Sequence, residues 1–154
     1  MDKSALVERL RSLVSSQYER ALSALAGATE AATGDDTKAE SKYDTRGLEA
    51  SYLAAGQAEQ ADELAEAIAS LENAEFPDFD FDDPIGPGAL VEAEQDGEVL
   101  YYLLAPAGGG ITLETEDGLS VTVLGPSAPL RANLLGKSSG TILEEIDLTI
   151  LEVL

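Results

Sequence analysis

The stretch from Gly34 to Arg46, GDDTKAESKYDTR, holds four carboxylates and three cations. We call this stretch the tip segment. If it is helical, its acids and its cations fall on nearly opposite faces, because each set recurs every four residues. The two sets are Asp36, Glu40 and Asp44, and Lys38, Lys42 and Arg46. Mg²⁺ binds one or two protein carboxylates and keeps several waters, so clustered acids of this kind suit its transient capture.

The same stretch also fits a purely structural role. Thr37-Lys38-Ala39-Glu40 matches the capping box, in which Thr37 caps a helix and Glu40 reaches back to the Thr37 amide. Asp35 and Asp36 would then stabilise the positive end of the helix dipole. The sequence leaves both interpretations open, and they compete for Glu40.

Composition removes several classes of function. The chain has 154 residues, a net charge of −21, no cysteine and no histidine, which excludes disulfides, thiolate zinc sites and histidine-based catalysis. The charge repels nucleic acid phosphates, so it favours a cationic protein partner over autonomous DNA binding. Without a membrane-length apolar run or the apolar stretch of a signal peptide, we expect a cytoplasmic protein.

Two amphipathic patterns flank the tip segment. Apolar residues recur at three- and four-residue steps from Ser4 to Thr33, and again from Leu48 through Tyr52 and Ala55 to Leu71. Both patterns predict long helices, and a break at Gly34 predicts an antiparallel hairpin over residues 1–75. Much of the predicted seam between the helices is alanine, which allows close approach but buries little area. A long, thin hairpin of this kind favours a function in which its tip reaches into a partner.

Residues 76–84, FPDFDFDDP, predict an acidic linker, whose phenylalanines either pin the hairpin to the next domain or stay solvated. From Ile85 to Leu154, short β-like runs alternate with glycine-containing turns. We predict hairpin turns at Glu94–Gly97 and Glu116–Gly118, a hairpin loop at Gly108–Gly110, and a helix over Ala128–Leu135. The fold class is α+β, a helical hairpin followed by a small antiparallel β domain. The predicted strands are Ala89–Ala93, Val99–Leu104, Ile111–Thr115, Leu119–Leu124 and Ile146–Val153.

These residues together resemble the bacterial GreA/GreB transcript cleavage factors. The specific motifs are IGPGALVE from Ile85, YYLLAPAGGG from Tyr101 and GPSAPLRANLLGK from Gly125. They are similar to the FKBP-like domain of that family, which the Rnk-type regulators share. The resemblance implies an FKBP-like domain over residues 85–154 and a hairpin that enters the secondary channel of RNA polymerase.

The tip of the family carries an Asp and, three residues later, a Glu. Aligning Lys38 and Tyr43 with their family counterparts puts Asp36 at the Asp, but Ala39 stands where the Glu is expected. The resemblance therefore implies that Asp36, with Asp35 or Glu40 as substitute, helps the polymerase hold a second Mg²⁺. It also implies partner contacts at two sets of residues. These are Lys38, Lys42, Tyr43 and Arg46 in the tip segment, and Pro129, Leu130, Leu134 and Leu135 in the C-terminal domain.

The implied activity belongs to the polymerase, so the chain is expected to be an accessory factor and not itself an enzyme. It would meet nascent RNA only inside the polymerase complex, and would bind no cofactor tightly. Two alternatives remain open at this stage. One is a polymerase-binding regulator of the Rnk type that does not stimulate cleavage, and the other is a general acidic module that binds some other basic protein.

Overall fold

The computed structural model describes residues 1–33 and 45–154. The described chain divides into two compact units, one formed by Leu13–Ile68 and the other by Met1–Ser12 together with Ala69–Leu154. We call them the helical unit and the sheet unit.

Helix α1 spans Lys3–Thr33 and helix α2 spans Arg46–Asn73. Asp2 caps α1, since its carboxylate accepts the Ala5 amide at 3.1 Å. Thr45 precedes α2, and its carbonyl accepts the Glu49 amide at 2.9 Å. The described helix thus begins at Arg46, nine residues after the cap predicted at Thr37; the proposed Thr37–Glu40 capping box lies outside the described residues.

In the helical unit, α1 and α2 meet through small residues, with Ala21, Ala28 and Ala61 all buried. The predicted seam is wrong for the first part of α2. Leu48 and Tyr52 are 55% and 71% exposed, because the inner positions belong to Gly47, Ala50 and Ala54, which are half-buried. These smaller residues continue the three- and four-residue steps back from Ala61, and they turn the larger apolar side chains outward.

The sheet unit contains one six-stranded sheet in the order β3-β4-β2-β1-β6-β5. Pro129–Leu134 forms the short helix α3. A 3₁₀ turn at Glu144–Ile146 follows β5, which the sequence did not predict, and delays the last strand to Leu148. The strands are β1 Leu90–Gln95, β2 Glu98–Leu104, β3 Thr112–Glu114, β4 Ser120–Leu124, β5 Ile142–Leu143 and β6 Leu148–Val153.

The α+β class is confirmed, but the sheet is mixed where an antiparallel one was predicted. Strands β2 and β4 pair in parallel, with Tyr101 opposite Val121 and Leu103 opposite Val123. The reason is that β4 lies between β2 and β3 in the sheet. The segment that contains Gly108–Gly110 therefore joins two strands that are not neighbours, and it is not a hairpin loop. The predicted turns at Glu94–Gly97 and Glu116–Gly118 do join antiparallel strands.

Apolar side chains are buried on both faces of the sheet. On one face Val91, Ala93 and Ile150 form a core with Leu134 of α3. The opposite-facing residues Leu90 and Leu103 are also fully buried. In residues 1–33 and 45–154 there is no helix long and apolar enough to cross a membrane.

Candidate functional site

Most of the predicted tip site lies outside the described residues. This applies to Asp35, Asp36 and Glu40 as metal-reaching acids, to Ala39, and to the predicted contacts at Lys38, Lys42 and Tyr43. Their roles stay predictions. Arg46 is described, and it is the exposed first residue of α2.

The helical unit carries an open cleft of about 420 Å³ in which both helices present polar side chains. Gln17 and Arg20 line it from α1, and Gln57 and Gln60 line it from α2. The floor is alanine, because Ala21 and Ala24 leave the space between the two helices empty. Amide and guanidinium groups can donate hydrogen bonds there, but the lining has no carboxylate or thiol to act as an acid, base or nucleophile.

The start of α1 is tied to the end of α2 within the sheet unit. The Nε and Nη2 atoms of Arg11 both donate to the carbonyl oxygen of Leu71, at 3.2 and 3.0 Å, while Nη1 pairs with Glu8 at 2.6 Å. The Leu71 carbonyl lies in the last turn of α2, where a nearby cation is favoured by the helix dipole. The start of one helix meeting the end of the next confirms the predicted antiparallel pairing.

Lys3 fastens the first turn of α1 to the segment that follows α2. Its side chain is 9% exposed, its ammonium group donates to the carbonyl of Pro77, and Nζ lies 5.2 Å from the centre of the Phe79 ring. Burial lowers the pKa of Lys3, and the negative charge of Asp78 partly opposes that effect. Lys3 was not singled out in the sequence, where one cation in an amphipathic helix looks like an ordinary surface residue.

The acidic segment 76–84 combines the two behaviours that the sequence left open. Phe79 is half-buried and packs against the core under the sheet, with its ring edge 3.6 Å from where a Cβ on Gly86 would lie. Phe81 is instead 71% exposed. One phenylalanine therefore pins the segment, and another remains in water.

The predicted contact residues of the C-terminal domain do not share one surface. Pro129 is exposed at the start of α3 and Leu135 is exposed just after its end, whereas Leu130 is half-buried against the core. Leu134 has no exposed area, so it cannot contact a partner while the domain is folded. Its role in this structure is to anchor α3 to the sheet.

Arg131 holds α3 against the ends of two strands. Its Nη1 donates to the carbonyl oxygens of Ala105 at 2.6 Å and of Leu124 at 3.1 Å. Burial lowers its pKa. The sequence carried a signal for this role, because Arg131 and Lys137 are the only two cations after Pro84, but the spacing alone did not show which carbonyls it would meet.

A groove of about 460 Å³ lies between α3 and the β5 edge of the sheet. Asn133 and Lys137 border one side, and Ile142 and Glu144 border the other. Ile142 is 62% exposed. Within the described residues no group of three acidic, histidine or cysteine side chains is arranged to hold a metal ion. This groove can thus offer apolar and charged contacts, but it has no evident catalytic group.

Comparisons with known proteins give a narrow result. No protein-family model matches the chain, and no curated protein matches it. Solved structures that are similar include GreA factor homolog 1 (Gfh1) of Thermus thermophilus, at 21% identity over 94% of both chains with a TM-score of 0.36. A second, described as the transcription factor Gfh1, is 23% identical over 97% of this chain and 93% of that one, at a TM-score of 0.36.

A third similar structure is Gfh1 of Thermus aquaticus, at 22% identity over 97% of this chain and 94% of that one, with a TM-score of 0.37. Identities and TM-scores this low carry no argument about function.

Proposed function

We propose that this protein is an accessory factor of bacterial RNA polymerase, which it binds by inserting the tip of its helical pair into the secondary channel. The observation that carries the proposal is the pairing of α1 and α2, helices of 31 and 28 residues, through a seam of small residues. The tip segment, with its four carboxylates and three cations, connects their ends. Because the two helices bury little apolar area against each other, their pairing adds little to folding stability, and stability alone is a poor explanation for their length.

The C-terminal motifs give independent support. The GPSAPLRANLLGK stretch, on which the family resemblance mainly rests, forms α3 close to where it was predicted, and its Leu134 and Arg131 fix that helix to the sheet. The function requires a cytoplasmic location and no DNA binding by the factor alone, which agrees with a net charge of −21.

In this proposal the factor's acids act only in the polymerase active site. The carboxylate of Asp36, with Asp35 or Glu40, would help to hold a second Mg²⁺ together with the polymerase, and the metal would supply activation of the water that attacks backtracked RNA. The water oxygen would bond to phosphorus as the bond from phosphorus to the 3′ oxygen of the upstream nucleotide breaks. Water would lose a proton to solvent and the leaving 3′ oxygen would take one up, so the RNA is cut into a 3′-hydroxyl end and a 5′-phosphate fragment and no group is left on the factor. Mg²⁺ is shared with the polymerase and is not a resident cofactor.

Ala39 supports a second candidate, a polymerase-binding regulator that does not stimulate cleavage. It stands where the family pattern has a glutamate. Losing a carboxylate that positions water or metal typically costs orders of magnitude in rate. Under this alternative the helical pair occupies the channel, but the tip lacks one of its working acids.

One set of variants separates the two candidates. Stalled, backtracked polymerase complexes with labelled RNA are mixed with the protein and RNA shortening is followed across a Mg²⁺ titration. A cleavage factor shortens RNA above the polymerase's own rate, and Asp36→Ala removes the effect. Glu59→Ala is the matched control, because Glu59 is an exposed acid on α2.

The reverse substitution tests the regulator. If the protein competes with a GreA factor for polymerase without cutting RNA, Ala39→Glu is expected to give cleavage where the unaltered protein gives none. Failure of the unaltered protein either to bind polymerase or to compete contradicts both candidates. A stable complex with a different basic protein would then favour the general acidic module.

A further inference from the structure

The turn at residues 80–83 holds an aromatic side chain in water. Phe81 lies at its second position and is 71% exposed, while the other large side chain nearby, Phe79, is packed against the core. An isolated exposed apolar residue is common on protein surfaces. Its backbone setting is what distinguishes Phe81.

The turn is held at its ends by hydrogen bonds. The Asp83 amide donates to the Asp80 carbonyl at 2.9 Å, and the Asp80 amide donates to the Asp83 carboxylate at 2.8 Å. Both flanks are also fixed to the domain. Before the turn, Phe79 packs against the core; after it, Ile85 is buried and exchanges backbone hydrogen bonds with Gly136 and Lys137, at 2.8 and 2.7 Å.

Charge surrounds the exposed ring. Asp78, Asp80, Asp82 and Asp83 are all exposed. Lys3 acts on Asp78, but among the described residues no Lys or Arg forms an ion pair with Asp80, Asp82 or Asp83. Three carboxylates next to Phe81 are therefore not balanced by any Lys or Arg in residues 1–33 and 45–154.

We propose that the turn at residues 80–83 is a second docking site for RNA polymerase, with Phe81 as its anchor. The partner surface it fits is an apolar pocket for one aromatic ring, bordered by lysine or arginine side chains. Aromatic anchors surrounded by polar contacts are the usual centre of a binding hot spot, and a ring held on a fixed turn loses little conformational freedom on binding. The acidic border supplies electrostatic complementarity to a cationic pocket.

This inference rests on the proposed function and names a contact remote in sequence from the tip segment. It is tested by measuring the Kd of fluorescently labelled protein for polymerase core enzyme, across a salt titration. Phe81→Ala is expected to raise Kd about tenfold. Phe81→Trp keeps an aromatic anchor and is expected to stay within about threefold of the unaltered protein.

Two further variants separate the contribution of the aromatic ring to binding from that of the surrounding charge. Asp82→Asn is expected to weaken binding about two- to threefold at low salt and to flatten its salt dependence. Val99→Ala, which shortens an exposed apolar residue elsewhere on the sheet unit, is the matched control and is expected to leave Kd unchanged. Circular dichroism and thermal unfolding should be unaltered by Phe81→Ala, because its side chain is largely in water.

The outcomes distinguish the inference from the function beneath it. If the unaltered protein binds polymerase and Phe81→Ala binds equally well, the docking site is refuted and the proposed function stands. If Phe81→Ala weakens binding but Phe81→Trp weakens it as much, the aromatic anchor is refuted. If the unaltered protein does not bind polymerase, the proposed function fails and this inference fails with it.

Discussion

Gly88 offers the sharpest test of how the sheet unit is packed. It has φ of +84°, and a Cβ built on it would lie 2.5 Å from the Glu75 carbonyl oxygen and 2.9 Å from the Phe76 Cα. Both contacts are backbone, so no side-chain rotation can relieve them. Gly88→Ala thus forces the chain after α2 away from the start of β1.

The loss of folding stability expected for Gly88→Ala has two parts. A left-handed conformation costs a residue with a Cβ about 1–2 kcal/mol, and overpacking in a tight site costs about 1–3 kcal/mol more. Gly97 has nearly the same φ, +80°, but has nothing within 4 Å of a Cβ. Gly97→Ala therefore carries only the conformational part, and the change in the unfolded chain is similar for both variants.

We expect Gly88→Ala to lower the free energy of unfolding by about 1–3 kcal/mol more than Gly97→Ala does. The assay is urea denaturation followed through the amide NMR signals of β1 and β2. Equal destabilisation by the two variants would refute the reasoning, because it would mean that the segment around Glu75 does not lie against Gly88. A loss in Gly97→Ala alone would refute it as well.

Three other predictions follow from contacts in the sheet unit. Arg11→Ala should lower the free energy of unfolding, measured by urea denaturation, by about 1.5–3 kcal/mol, because it removes two charge-assisted hydrogen bonds to the Leu71 carbonyl. Arg11→Lys should recover part of this loss. Full stability in both variants would contradict the prediction. Asp78→Asn should lower the pKa of Lys3 further in an NMR titration. In the folded protein the pKa of Lys3 lies below its unfolded value of 10.5, so just below pH 10.5 the unfolded chain binds more protons than the folded one. The contribution of Lys3 to the free energy of unfolding therefore rises with pH in that window. An unchanged or raised Lys3 pKa in Asp78→Asn would contradict the prediction. Arg131→Met should destabilise by about 1.5–3 kcal/mol and speed hydrogen exchange at the ends of β2 and β4, because the Ala105 and Leu124 carbonyls lose their charged donor. Unchanged exchange at those strand ends would contradict this prediction.

Much of the architecture could be read from the sequence because it follows local rules. Three- and four-residue apolar spacing located both long helices, and the Glu94–Gly97 and Glu116–Gly118 turns located two hairpins. Local rules failed where partners are distant in sequence. The parallel pairing of Tyr101 with Val121 depends on β4 entering between β2 and β3, and no short pattern encodes that choice.

The same distinction holds for the candidate sites. Residue types and spacing predict metal-reaching acids in the tip segment, and that prediction lies outside the described residues. They could not predict that Leu134 is buried while Leu135 is exposed, since the two are neighbours of equal hydrophobicity, and the difference arises because α3 ends at Leu134 and Leu135 follows it. Nor could they assign Lys3, Arg11 or Arg131, whose partners are backbone carbonyls far along the chain or on other elements.

The sheet unit takes its first twelve residues from one end of the chain and the rest from residue 69 onward. During vectorial synthesis, Leu10 therefore leaves the ribosome long before the loop at Gly108, against which it packs, has been translated. A fragment beginning at residue 76 would lack the strap formed by Lys3 and Arg11. Cutting this protein for domain studies consequently requires rejoining residues 1–12 to the C-terminal part, for example by a short linker that replaces residues 13–68.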